Sequence, residues 1–128
     1  MATLEQRRAR FALEKIDLIK GGGEKGKYKT QLLKLPARLH SNGLGQTIAF
    51  YLSAGSDKPE TRICEWIEQW LRQRIDLQGR GLLGCIVGES AGEAAEETYR
   101  AASTEARALA VWLKRFAEAF IAGEGEQT

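Results

Sequence analysis

The chain has 128 residues, 43% of them hydrophobic and 28% charged, with a formal net charge of +2. That is ordinary globular usage and enough for one core, which points away from disordered and membrane classes. No uninterrupted apolar run approaches the roughly 20 residues needed to cross a bilayer, so no transmembrane segment is expected.

The N-terminus enters a charged helical pattern at once, without an apolar signal core, and a cytoplasmic location is expected. Thr3-Leu4-Glu5-Gln6 has the capping-box form and starts the first helix. Ala9, Ala12, Leu13, Ile16 and Ile19 follow at helical spacing, and Gly21, Gly22 and Gly23 end it. Phe11 and Leu18, seven residues apart, form a narrower strip that is either more core or a partner surface. Residues 21–27, with four glycines, are expected to be a mobile basic loop. Tyr28, Leu32, Leu35, Pro36 and Leu39 share one helical face, with a kink or restart expected near Leu35 because Pro36 lacks a backbone donor. Ser41-Asn42-Gly43 reads as a turn, and Leu44, Ile48, Tyr51 and Leu52 mark a third helix running to about Ser53.

Residues 54–59 break the pattern, and Pro59 suits the first turn of the next helix. Ile63, Trp66, Ile67, Trp70 and Leu71 then form a strong amphipathic stripe. The stretch Gly79–Gly88 is ambiguous between a short helix and a loop that tucks its apolar residues under the bundle. A last helix carries Leu109, Trp112, Leu113, Phe116, Ala117 and Phe120, with Ser103-Thr104 expected to split it from a shorter one over residues 93–102. Residues 123–128 are expected to fray as a flexible tail. Strand signals are almost absent. The fold class that follows is all-α: a compact bundle of about five or six helices forming one domain over residues 1–128.

Catalytic signatures are few. Gly79-Arg80-Gly81-Leu82-Leu83-Gly84 spells a dinucleotide-binding fingerprint but follows an amphipathic helix instead of a strand, so it fails on context. His40 is the only histidine, which excludes two-histidine metal motifs; helix capping or a nucleic-acid contact suits it better than catalysis. Cys64 and Cys85 lie among apolar neighbours without metal-like spacing and read as reduced packing residues. Glu93, Glu96, Glu97 and Glu105 read as a solvated acidic face. No catalytic residue, metal or cofactor is expected.

Charge points to binding. Residues 1–40 hold ten Lys and Arg against four Asp and Glu, residues 41–78 four against five, and residues 79–128 five against eight. Such polarity can steer an anionic partner, although a solvated basic helix face explains it as well. Lys25, Lys27, Lys29, Lys34 and Arg38 surround Tyr28, while Lys114 and Arg115 sit on the polar side of the last helix. Cations of this kind neutralise phosphates, and with no base-reading motif the recognition would be sequence-tolerant.

Four stretches taken together carry a resemblance: Arg7-Arg8-Ala9-Arg10-Phe11-Ala12; Lys27-Tyr28-Lys29-Thr30 leading to Leu35-Pro36; Asn42-Gly43-Leu44-Gly45-Gln46 with Ala49-Phe50-Tyr51; and Trp112-Leu113-Lys114-Arg115-Phe116-Ala117. Nearly the whole chain resembles the small helical subunit of the Cmr-type (type III-B) CRISPR effector complex. The resemblance implies an all-helical, non-catalytic subunit that takes part in antiviral defence against invading RNA. It would stack with copies of itself in a minor filament, contact the large subunit and lie beside guide-RNA-bound backbone subunits, helping to hold target RNA. Within that expectation, chemistry and position make Lys27, Lys29, Lys34, Arg38, Lys114 and Arg115 candidates for RNA contacts, and Phe11 and Leu18 candidates for subunit contacts. The alternative is a helical adaptor that binds only protein, its basic cluster pairing with acidic surface.

Overall fold

The first helix begins where the capping box places it. In the computed structural model, which describes residues 1–77, 81–88 and 93–122, the Gln6 amide donates to Thr3 Oγ1 at 3.1 Å and the Thr3 amide donates to Gln6 Oε1 at 2.8 Å. Helix α1 (Leu4–Ile19) buries Phe11, Ala12 and Ile16. The glycine loop is shorter than expected: α2 (Lys25–Leu52) already starts at Lys25, so Lys25, Gly26 and Lys27 form its first turn. Tyr28 draws that turn inward by stacking on Trp66, with ring centroids 5.4 Å apart and planes 10° from parallel.

Pro36 does not break α2. Leu32, Leu35 and Leu39 are essentially inaccessible to solvent, and their packing holds the segment helical at the loss of one backbone donor. The interruption comes at Gly43, whose φ of 82° and ψ of 169° suit only glycine. A straight helix would hold Gln31 and Tyr51 about 30 Å apart, yet the Tyr51 hydroxyl donates to the Gln31 carbonyl at 2.8 Å. The element is therefore two arms folded back at Gly43, as the turn expected at Ser41-Asn42-Gly43 requires. Thr47 Oγ1 ties the arms again, donating to the Arg38 carbonyl at 3.0 Å.

Helix α3 (Pro59–Arg74) opens with Pro59 in its first turn and buries Ile63, Cys64, Trp66, Ile67, Trp70 and Leu71. The ambiguous stretch resolves as a seven-residue helix, α4 (Gly81–Val87), started by Glu68 Oε1 accepting from the Leu82 amide at 2.6 Å. It turns Leu82 and Cys85 inward and leaves Leu83 and Val87 exposed. Gly79, like the tail 123–128, lies outside the described residues. Helix α5 (Glu93–Phe120) is continuous, contrary to the expected split at Ser103-Thr104. Ala102, Ala106, Leu109, Ala110, Leu113 and Ala117 are all fully buried, so one apolar stripe carries the helix through. Helix α5 is the axis of the bundle, packing chiefly on α2 and α1 and less on α3 and α4. There are five helices and no strand among the described residues.

One polar network crosses this core. Glu105, expected on a solvated face, is only 9% exposed. Its carboxylate accepts from Arg8 Nη2 at 2.7 Å, Arg8 Nε at 3.2 Å and Trp70 Nε1 at 3.1 Å, and Arg74 Nε lies 3.8 Å away. Glu5 extends it, accepting from Arg8 Nη1 at 2.6 Å and from Trp112 Nε1 at 3.2 Å. Burial alone would push the Glu105 carboxyl up, but hydrogen bonds from Arg8 and Trp70, with the charges of Arg8 and Arg74, outweigh it and hold the carboxyl below its usual range. A depressed folded value contributes stability that is present above the unfolded pKa and is lost as pH falls through the folded one. Urea unfolding of Glu105→Gln at neutral pH should show a loss of about 3 kcal/mol, as for one partner removed from a buried pair. Its midpoint should also fall less than the wild type's as pH is lowered below about 4; parallel pH curves would contradict the role assigned to this carboxylate.

Candidate nucleic-acid interface

The first arm of α2 sets the basic face. Its apolar positions turn inward, and Lys27, Lys34 and Arg38, separated by seven and four residues, fall within about 40° of one another on the outer side. Lys27 is exposed and only loosely paired, with Glu24 at 3.9 Å. Lys34 is exposed and has no ion pair with a described residue.

Arg38 is engaged within the fold. It is half-buried, donates to Gln31 Oε1 at 2.7 Å and to the Tyr51 hydroxyl at 3.1 Å, and lies 5.0 Å from the centroid of the Phe50 ring. Burial pushes the Tyr51 phenol up, against the opposing effect of Arg38. Arg38 thus joins the two arms and presents Phe50, 59% exposed, beside the basic face. Phe50 escaped sequence reasoning because, on a nominal helix wheel, it is simply a flank of a buried stripe; only the fold-back at Gly43 brings it to Arg38.

The other candidates separate. Lys29 is only 9% exposed and faces inward. Lys114 is half-buried and Arg115 exposed; as neighbours on α5 they diverge by about 100°, and Arg115 pairs with Glu118 at 3.4 Å. The Tyr28 ring is stacked on Trp66, and its phenol is raised by burial. His40 is exposed in the turn before Gly43. Of the two candidate subunit contacts, Phe11 belongs to the core, its ring 5.3 Å from that of Trp70, whereas Leu18 is 73% exposed. Further apolar surface lies on α5, where Val111 is 47% and Phe120 52% exposed along a row of rings from Trp112 through Phe116.

Cys64 and Cys85 are both buried and unlinked. Burial, with the nearby charge of Glu65, pushes the Cys64 thiol up to about 12, far from a reactive thiolate. Among the described residues no group of three His, Cys, Asp or Glu is placed to hold a metal ion, and no helix is long and apolar enough to cross a membrane.

Comparison with known proteins is consistent across the chain. Residues 4–120 match the family model for CRISPR-associated protein (Cas_Cmr5). A protein described as CRISPR system Cmr subunit Cmr5, from Thermus thermophilus, is 34% identical over 121 residues, covering 94% of this chain and 98% of the relative. The crystal structure of a CRISPR-associated Cmr5 family protein from the same organism superposes with a TM-score of 0.71 at 29% identity, covering 94% of this chain and 99% of that one.

The different engagement of these cations has a direct consequence for stability. Lys27→Ala and Lys34→Ala should each leave the urea unfolding free energy within about 0.5 kcal/mol of wild type. Arg38→Ala, which removes hydrogen bonds and a ring contact, should cost about 1–2 kcal/mol. Equal effects of all three would contradict the division into solvent-facing and engaged cations.

Proposed function

The chain belongs to the Cas_Cmr5 family of CRISPR-associated proteins, and from that membership we propose that it is a non-catalytic subunit of a type III-B Cmr effector complex in the cytoplasm. In this reading it stacks with copies of itself as a minor filament beside the backbone subunits, touches the large subunit and holds target RNA by its phosphates. The outer face of α2 carries the RNA reading: Lys27 and Lys34 are solvent-facing on one side of one helix, and Phe50 is exposed beside Arg38 of the same arm. Phosphate contacts from flexible lysines give affinity without base preference, which suits a subunit whose sequence choice is left to guide pairing. Phe50 adds a ring on which a base can stack.

Lys114 and Arg115 remain secondary RNA candidates because they diverge around α5, and Arg38 positions Phe50 more than it contacts RNA. Leu18 takes the subunit-contact role that Phe11, being core, cannot. The raised Cys64 thiol and the solitary His40 support a non-catalytic role.

Affinity purification of the tagged chain from its native cells tests the reading. Recovery of other Cmr subunits together with short guide RNAs that share a repeat-derived end is expected. Recovery of unrelated proteins without RNA would replace it with the protein-only adaptor.

A further inference from the structure

The first helix holds two arginines that the core does not use. Arg8 is saturated, both sides of its guanidinium being taken by Glu105 and Glu5. Arg7 and Arg10 flank it in sequence but face outward, and neither pairs with a described carboxylate. One turn apart on α1, they line the same open groove of about 210 Å³ against α3, together with Glu14, Gln73 and the edges of Phe11 and Trp70.

From this geometry we propose that the groove between α1 and α3 is a second RNA-backbone site, in which Arg7 and Arg10 grip one stretch of phosphodiester and Gln73 hydrogen-bonds the adjoining sugar. The proposal rests on the RNA-binding reading above but uses a different face and different residues. Guanidinium forks match phosphate oxygens in pairs, which lysines cannot do. Phe11 is 8% and Trp70 1% exposed, so neither ring can take a base. The site therefore grips backbone only, independently of sequence. An acidic protein partner fits less well, because protein interfaces centre on an apolar core with aromatic anchors, and both rings of this groove are already turned inward. Nucleic-acid interfaces are polar and positive, as this groove is.

The test is fluorescence-anisotropy binding of the full chain to labelled oligouridine and oligoadenosine over a range of salt, for wild type, R7A/R10A, R7K/R10K and K27A/K34A. Thermal unfolding checks that each variant is folded; all four side-chain changes are at exposed positions. Two lost phosphate contacts on single-stranded RNA should lower the slope of log affinity against log salt by about 1.4 in R7A/R10A, equally for both sequences. R7K/R10K should keep the wild-type slope and bind more weakly. An unchanged slope in R7A/R10A while K27A/K34A lowers it would overturn the groove and leave the α2 face standing. Loss in R7A/R10A of binding to a polyglutamate peptide, with RNA binding intact, would overturn it in favour of an acidic protein. Absence of wild-type binding to either RNA would overturn both sites together.

Discussion

Three helices meet on one carboxylate. Glu105 sits in the middle of α5, and through it Arg8 of α1 and the Trp70 indole of α3 are brought to the same two oxygens. Charges in the interior are costly to desolvate, so a buried pair is tolerated only when its hydrogen-bonding capacity is well filled. Here four donors or charges converge on Glu105, and the second carboxylate, Glu5, takes the remaining side of Arg8 while anchoring Trp112. The consequence is register: α1 and α5 lie antiparallel, with Glu5 opposite Trp112 and Arg8 opposite Glu105. Apolar burial alone would leave two such helices free to slide by a turn, whereas the directional bonds fix a single alignment. The same bonds decide which arginines are available outside, since holding Arg8 inward turns Arg7 and Arg10 to the surface.

A second constraint shapes the other side of the molecule. Gly43 supplies a backbone conformation closed to other residues, and Gly45 lets the second arm of α2 approach α4 and α5 closely. A Cβ at Gly45 would stand 3.1 Å from the Ile86 side chain and 3.4 Å from the Tyr99 hydroxyl, which accepts a hydrogen bond from the Gly45 amide at 2.9 Å. Asn42-Gly43-Leu44-Gly45-Gln46 is thus a hinge and a contact point in one short run, with Leu44 buried between the two glycines. The fold-back places Arg38, Tyr51 and Phe50 together, and so sets an exposed ring of the second arm beside Arg38 of the basic first arm.

Much of this was legible in the sequence. Helical periodicity, the Thr3 capping box, the turn at Gly43 and the Trp66–Trp70 stripe are local signals that tertiary packing reinforces, so they reappear in the structure as read. The misreadings share a cause. Pro36, Ser103 and Thr104 are weak helix formers or breakers whose preferences are overridden by the fully buried residues around them. Glu105 looked like its acidic neighbours because a one-dimensional pattern cannot show that Arg8, 97 residues away, lies opposite it. The site was legible as charge but not as geometry. Composition located the basic first third of the chain; it could not separate Lys34, which is exposed, from Lys29, which faces inward, or Arg8 from Arg7 and Arg10.

In the proposed reading, RNA meets this chain along its basic first third, on α1 and the outer arm of α2, and not along the acidic final helix. The most direct measurement is photo-crosslinking of 4-thiouridine-substituted target RNA to the assembled complex, followed by mass-spectrometric mapping of the crosslinked peptides. Crosslinks from this chain are expected within residues 4–42, in peptides containing Arg7, Arg10, Lys27 or Lys34. Crosslinks confined to α5, or none on this chain while neighbouring subunits are labelled, would contradict it.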